Sequence, residues 1–256
     1  MPRVDYDRIA HLYDEPCRDH AVDPGLKAYL ADHPAIDRES LKVLDVGCGT
    51  GKQLTADREV MPDAVLVGLD RFRNMLGVAR DRCSSVRWIN GDGACLPFAS
   101  RSFDYVTSQF SYQHIQEKAG LFRELYRVIV PGGRFVMTNI DPWAMPNWII
   151  YRYFPAALLL DRQDFFPGDR FAEHLRTVGF TDIQVSRKDI PGRQSLREFQ
   201  TYASRRHHAS EFMAIADEDY RSGLVRIEQE LALAGEEIPS VASELCVITV
   251  TGDRPL

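Results

Sequence analysis

Several kinds of signal are missing from this chain. Its five cysteines form no C-x-x-C pair and no metal-ligand spacing. An odd count with no signal-peptide pattern points to reduced thiols in a cytosol, and no metal ligands are expected. No apolar run reaches the roughly 20 residues that cross a bilayer. The most apolar stretch, residues 148–160, is interrupted by Arg152 and Pro155. A net charge of −6 argues against a bulk nucleic-acid binder. The basic cluster Arg205-Arg206-His207-His208 reads as a solvated helix face. There is no internal repeat, no low-complexity segment and no N-P-P-Y-type motif.

What is present suits one catalytic unit. A chain of 256 residues, 45% apolar and 27% charged, accommodates an α/β domain with a helical elaboration. Strands are expected near 42–46, 65–69, 86–90, 103–108 and 133–139. Leu121, Leu125, Val128 and Ile129 make a helical stripe that stops at Pro131-Gly132-Gly133. Phe171, Leu175 and Val178 predict a helix ending at Gly179, followed by a strand through Ile183 and Val185. Residues 194–237 read as helical, with Tyr220, Leu224, Ile227 and Leu231 on one face and Gly235 as C-cap, before a last strand near 245–251. Alternation of this kind predicts a largely parallel sheet with helices on both faces. Ligands of such sheets bind outside the carboxyl ends of the strands. Asp45, Asp70, Asp92 and Ser108 all fall at such ends, so distant positions converge on one edge.

The most informative stretch is Val43-Leu44-Asp45-Val46-Gly47-Cys48-Gly49-Thr50-Gly51. It reads as a buried strand running into a three-glycine loop and then a helix N-terminus, where free N–H groups collect. The sixth position of a dinucleotide-binding G-x-G-x-x-G is Lys52, and no Lys-Ser or Lys-Thr pair closes a phosphate-binding loop. The pattern D-x-G-x-G-x-G resembles the first motif of class I S-adenosylmethionine-dependent methyltransferases. Val65-Leu66-Val67-Gly68-Leu69-Asp70 is a second apolar run ending in a carboxylate. Asp70-Arg71-Phe72-Arg73-Asn74-Met75-Leu76 is similar to the family's D-x-S-x-x-M-L, with Arg71 and Arg73 departing from it. Asn90-Gly91-Asp92-Gly93-Ala94-Cys95-Leu96-Pro97-Phe98 is similar to G-D-A-x-x-L-P-F. Phe103-Asp104-Tyr105-Val106 and Arg127-Val128-Ile129-Val130-Pro131-Gly132-Gly133 complete the order.

The resemblance implies a doubly wound, mostly parallel seven-stranded Rossmann-like α/β sheet with an antiparallel last strand. It implies S-adenosyl-L-methionine as cofactor. Asp45, Gly47, Cys48, Gly49 and Gly51 would form its cradle, Cys48 through a small packed side chain. Asp70 would accept from the ribose hydroxyls with Arg71 and Met75 beside it, and Asp92 would meet the adenine amino group between Gly91 and Gly93. Ser108 and Gln109 end the fourth strand on the same side. The opening Tyr6-Asp7-Arg8-Ile9-Ala10-His11-Leu12-Tyr13-Asp14 resembles that of the menaquinone- and ubiquinone-type methyltransferases, where it forms a lid; Tyr13 would touch the cofactor.

Domain organisation is expected as N-terminal lid helices over 1–35 and a catalytic domain over 36–256, with insertions at 142–167 and 194–237. In family members the first insertion walls the acceptor pocket, which places Trp143, Trp148 and Tyr151 as acceptor contacts; its other reading is a core helix or dimer surface. Tyr112 is a further acceptor candidate. His114, in the loop where acceptor meets methyl, is the candidate general base, its other reading being a helix cap. The reaction implied is in-line methyl transfer to a small aromatic or lipophilic metabolite, at an O, N or C atom. A nucleic-acid or protein methyltransferase and a non-catalytic cofactor-binding module are the competing readings. No nucleic-acid partner and no membrane span are expected, the cytoplasm is the expected location, and a homodimer stays open.

Overall fold

The computed structural model describes residues 4–14 and 21–256. Seven strands form one sheet in the order β3-β2-β1-β4-β5-β7-β6. They are β1 Lys42–Val46, β2 Val65–Asp70, β3 Arg87–Asn90, β4 Phe103–Gln109, β5 Ile129–Ile140, β6 Thr181–Ser195 and β7 Ser240–Asp253. β1 pairs in parallel with both β2 and β4, and β2 with β3 and β4 with β5 likewise. The last strand is antiparallel. Chain order therefore reverses at β1, and a crevice opens beyond its carboxyl end.

The helices are α1 Pro24–Asp32, α2 Lys52–Val60, α3 Arg73–Arg82, α4 Lys118–Val128, α5 Ile149–Tyr153, α6 Pro155–Asp164, α7 Gly168–Val178, α8 Leu196–Ala203, α9 Ser210–Ala214 and α10 Asp217–Ala234. Successive strand residues face opposite layers. Val43, Leu66, Tyr105 and Val136 pack with Leu26 of α1, Leu54 of α2 and Leu76 of α3. On the other layer, Phe171 of α7 meets Tyr112, Phe122 of α4 and Phe135. Burial on both faces explains why β1 and β2 read as continuous apolar runs.

The residues fall into two compact units. The first holds 1–139, 168–186 and 249–256; the second holds 140–167 and 187–248. The stretches expected as separate insertions lie in the second unit and share one core, in which Phe154, Phe199, Phe212 and Ile227 are fully buried.

Two boundaries differ from expectation. β5 begins at Ile129, straight after α4, and absorbs Pro131-Gly132-Gly133 beside an irregularity opposite Phe103 and Tyr105. Gly132 has φ +79°, a conformation that costs glycine little. β6 runs ten residues past Val185 and β7 starts five before 245. The outer half of β6 contains Arg187-Lys188-Asp189 and Pro191-Gly192, and most of it is exposed. It carries no apolar alternation to read, and charge with proline is how an edge strand avoids pairing with another chain. Among the described residues no helix is long and apolar enough to cross a membrane, and no cluster of metal-ligating side chains occurs.

Candidate active site

The first unit holds a cleft of about 590 Å³, counted with its open mouth, beyond the carboxyl ends of β1, β2 and β4. Its floor is the glycine loop. Gly47, Gly49 and Gly51 have φ of +82°, +53° and +76°. The Gly47 and Cys48 N–H groups donate to the Leu69 carbonyl at 2.7 and 3.1 Å, tying the loop to the end of β2. A Cβ at Gly47 would collide with Ser111, and one at Gly51 with Trp88. One at Gly49 would meet only Met75 Cε, at 3.4 Å. Gly47 and Gly51 are thus required by the protein's own packing. Gly49 instead keeps a stretch of backbone open to whatever fills the cleft.

Asp70 stands where β2 ends, nearly buried yet on the cleft wall. Its Oδ2 accepts the Gly49 N–H and its Oδ1 the Phe72 N–H, both at 2.8 Å. Burial pushes its pKa up, and the hydrogen bonds from Phe72 and Gly49 oppose that shift. Each carboxylate oxygen has a second lone pair, so hydroxyl donors can still be accepted. Met75 of α3 lines the wall beside it, and Arg71 lies at the rim with its guanidinium over the Phe72 ring. Gly91, Asp92 and Gly93 follow β3 and complete that side. Asp92 is exposed, and its Oδ1 accepts the Ala94 N–H at 2.9 Å.

Residues 4–14 supply the opposite wall through Tyr6 and Tyr13. The expected lid is a single 3-10 turn, Tyr6–Arg8, followed by further turns rather than an α-helix. So short a segment gains little from helix formation alone. It is fastened by side chains instead. Asn74 donates twice to Asp7, its N–H to Oδ1 at 2.7 Å and its Nδ2 to the carbonyl at 3.0 Å. Asp14 accepts from Thr50 Oγ1 at 2.9 Å and pairs with Lys52 and Arg82. Residues 15–20 of the expected 1–35 segment, Cys17 among them, lie outside the described residues.

The loop after β4 brings Phe110, Ser111, His114 and Ile115 to the cleft. His114 Nε2 lies 3.0 Å from Tyr6 Oη and 3.2 Å from Gln113 Nε2. Gln113 is in turn held by Asn139, whose Nδ2 donates to Gln113 Oε1 at 2.7 Å.

Several expected site residues sit behind these walls. Asp45 is buried beneath the loop, with one carboxylate oxygen lacking a partner among the described residues. Burial, then the charges of Asp57, Asp23 and Asp70, hold its pKa well above the ordinary carboxylate value. The Cys48 thiol faces the core beside Leu54 and Trp88, and burial pushes its pKa well up. The loop therefore offers backbone, not sulfur, at this position. Ser108 is fully buried; its hydroxyl meets Ser111 Oγ at 2.8 Å, and that group donates to the Val46 carbonyl. The pair holds the loop. Gln109 is half-buried on β4 and is not among the lining residues.

The acceptor expectation needs correction at two tyrosines. Tyr112 is buried with its ring edge-on to Phe171, because successive residues of the 112–114 turn point in different directions and only His114 points to the cleft. Tyr151 is buried in the second unit's own core, its hydroxyl donating to Asp161 Oδ2 at 2.6 Å. Trp148 packs edge-on against Tyr151, and Trp143 is exposed under the Arg162 guanidinium. Phe72, Phe110 and Ser111 also line the cleft and were not among the expected site residues. Their only signal was position next to motifs already recognised.

A family model described as a methyltransferase domain matches residues 44–137. Demethylmenaquinone methyltransferase of Listeria welshimeri is 30% identical over 169 residues, covering 63% of this chain and 68% of that protein. Among solved structures, phosphoethanolamine N-methyltransferase 2 of Haemonchus contortus, bound to phosphomonomethylethanolamine and S-adenosylhomocysteine, aligns with a TM-score of 0.60 at 21% identity. That alignment covers 98% of this chain and 58% of that longer one. The cyclase SpnF aligns with a TM-score of 0.58 at 20% identity, covering 98% of this chain and 94% of that one. At such identities the solved structures speak to fold alone.

Proposed function

The chain belongs to the class I S-adenosylmethionine-dependent methyltransferases, and on that footing we propose that its acceptor is a small aromatic or lipophilic metabolite whose proton is taken by His114. The enzyme uses S-adenosylmethionine to methylate a small molecule. One observation carries the cofactor assignment: Asp70 grips the N–H of Gly49, the one loop glycine whose missing Cβ leaves cleft space open.

When bound, S-adenosylmethionine supplies a methyl group on a sulfonium, which is already electrophilic. The chain's own residues have three tasks. The backbone of Gly47, Gly49 and Gly51, with Asp70, Met75, Gly91, Asp92 and Gly93, would hold the cofactor, and Tyr13 and Arg71 would close its rim. Tyr6 and Tyr13 cover the cleft and exclude water. Holding two reactants in alignment is worth about 7–11 kcal/mol, so placement is the main task. His114 faces the cleft with its Nε2 beside the Tyr6 hydroxyl, where a proton can pass between imidazole and acceptor.

The acceptor class rests on the walls. Tyr6, Tyr13, Phe72 and Phe110 are all aromatic and line the same cleft as the polar Asp70, Arg71, Asp92, Ser111 and His114, and aromatic lining with a small set of placed polar groups is the usual composition of a small-molecule site. The Listeria relative's acceptor, demethylmenaquinone, belongs to the same chemical class. We place the reaction in a reducing cytosol, with a small molecule and not a nucleic acid as acceptor, on the cysteine spacing and the net charge of −6.

Calorimetric titration with S-adenosylmethionine, S-adenosylhomocysteine and NADH tests this reading. Micromolar binding of the first two and none of the third is expected. Turnover of phenolic or quinol acceptors in preference to phosphoethanolamine or an oligonucleotide would support the acceptor class. The reverse preference would remove it.

A further inference from the structure

We propose that Phe110 is a specificity-determining residue that reads the flat face of the acceptor, so that the preferred substrates carry a planar aromatic ring. The inference deepens the acceptor reading above and rests on it. Three non-glycine residues among those described have positive φ: Arg101, Phe110 and Asp182. Only Phe110 lines the cleft. Its φ of +50° lies in the left-handed region, which a bulky side chain adopts at a cost and glycine or asparagine adopts readily. The fold receives little in return, because the residue is 48% exposed. Strain of this kind, retained where it does not aid packing, points to a functional site.

The surroundings hold that conformation from both sides. The Phe110 N–H donates to the Thr138 carbonyl at 2.9 Å. Its carbonyl accepts from Gln113 Nε2 at 3.0 Å. Ser111, the next residue, is pinned by its hydroxyl to the Val46 carbonyl. Gln113 also lies against His114 Nε2 and is held by the buried Asn139. One side chain thus fixes both the backbone that aims the ring and the imidazole beside it. A ring that lines the cleft can pair with a flat partner, offset-stacked or edge to face.

The test uses the whole chain saturated with S-adenosylhomocysteine, with 1-naphthol as planar probe and decahydro-1-naphthol, of the same carbon count, as its non-planar counterpart. Binding of 1-naphthol should exceed that of decahydro-1-naphthol. Phe110→Gly should weaken 1-naphthol binding by about tenfold or more, and Phe110→Tyr should keep it within about twofold. Phe110→Leu should lose the discrimination between the two probes. S-adenosylhomocysteine affinity should stay within about threefold in all three variants, and the thermal midpoint of Phe110→Gly should be unchanged or raised, since glycine tolerates this φ. If 1-naphthol binds equally well to the parent and to Phe110→Gly, the inference is overturned while the acceptor reading stands. A lowered midpoint with parallel loss of both ligands would make Phe110 a fold residue and overturn it too. If S-adenosylhomocysteine binds but 1-naphthol does not, the acceptor reading fails and this inference with it.

Discussion

Tyr6 Oη and His114 Nε2 lie 3.0 Å apart, joining the N-terminal segment to the loop after β4. The two rings also meet edge to face, at 5.2 Å between centroids. Tyr6→Phe removes the hydroxyl and keeps the ring against Tyr13 and Phe72. Losing one hydrogen bond of this kind is worth about 1 kcal/mol, so kcat should fall roughly fivefold. His114→Ala should lower kcat by about 10²-fold or more with little change in S-adenosylhomocysteine affinity. If the two residues act as a unit, the double variant should be no worse than His114→Ala. Steady-state kinetics on all three proteins checks this; unchanged turnover in His114→Ala would remove it as the base.

The three loop glycines should separate by phenotype. Gly49→Ala places a methyl group in open cleft space and pays only the left-handed backbone cost, about 1 kcal/mol. It should fold, yet bind S-adenosylmethionine at least about tenfold more weakly. Gly47→Ala and Gly51→Ala collide with Ser111 and Trp88 in addition to that strain. They should lose about 2–3 kcal/mol of stability. Thermal unfolding paired with calorimetry distinguishes the two classes. Equal loss of stability at all three positions would contradict the special role of Gly49.

The parts of this fold that were legible in the sequence are those whose signal is local. β1 and β2 read as apolar runs because both faces are buried, and each meets the cleft where its run gives way to aspartate or glycine. Gly235 was legible as a C-cap and has φ +64°. What could not be read depends on direction or on distant partners. Tyr112 and His114 are two residues apart, and only the turn decides that one enters the core and the other the cleft. Phe110 is an unpromising residue for a left-handed backbone, so nothing in its identity announces that conformation. The common core of residues 140–167 and 187–248 is built by pairings such as Phe154 with Phe212. Periodicity within either stretch gives each apolar face but not its partner.

That second core supplies a prediction of its own. Gly223 is buried in α10, and a Cβ there would run into the Phe154 ring. In an exposed helix, Gly→Ala stabilises by about 1 kcal/mol. Here Phe154 is fully buried and already packs against Phe199, Phe212 and Tyr220. The ring has nowhere to go without disturbing them. Overpacking of this kind costs about 1–3 kcal/mol, so Gly223→Ala should lower stability despite its better helix propensity. A raised unfolding midpoint would show that the helix moves aside at little cost.

Beneath the glycine loop, Asp23, Asp45 and Asp57 form a buried group of acids whose pKa values are all raised, burial being the first cause in each case. Asp57 is pushed up to about 6 from 3.8. Its Oδ1 accepts the Asp23 N–H at 2.9 Å and Gln53 Nε2 at 3.1 Å, while Oδ2 has no partner among the described residues. In the unfolded chain this carboxyl ionises near its ordinary value, whereas in the folded protein it keeps its proton to about pH 6. The folded state therefore binds more protons between those limits, and stability falls as pH rises through them. The contribution is fully present below the lower limit and lost above the upper one. Its size is on the order of 3 kcal/mol. Asp57→Asn keeps an Oδ1 acceptor and cannot ionise. Between about pH 4 and pH 7 the variant should gain up to roughly 3 kcal/mol relative to the parent. Urea unfolding of both proteins across that range measures the difference directly. A constant offset between the two curves would mean that Asp57 ionises as freely in the folded protein as in the unfolded chain.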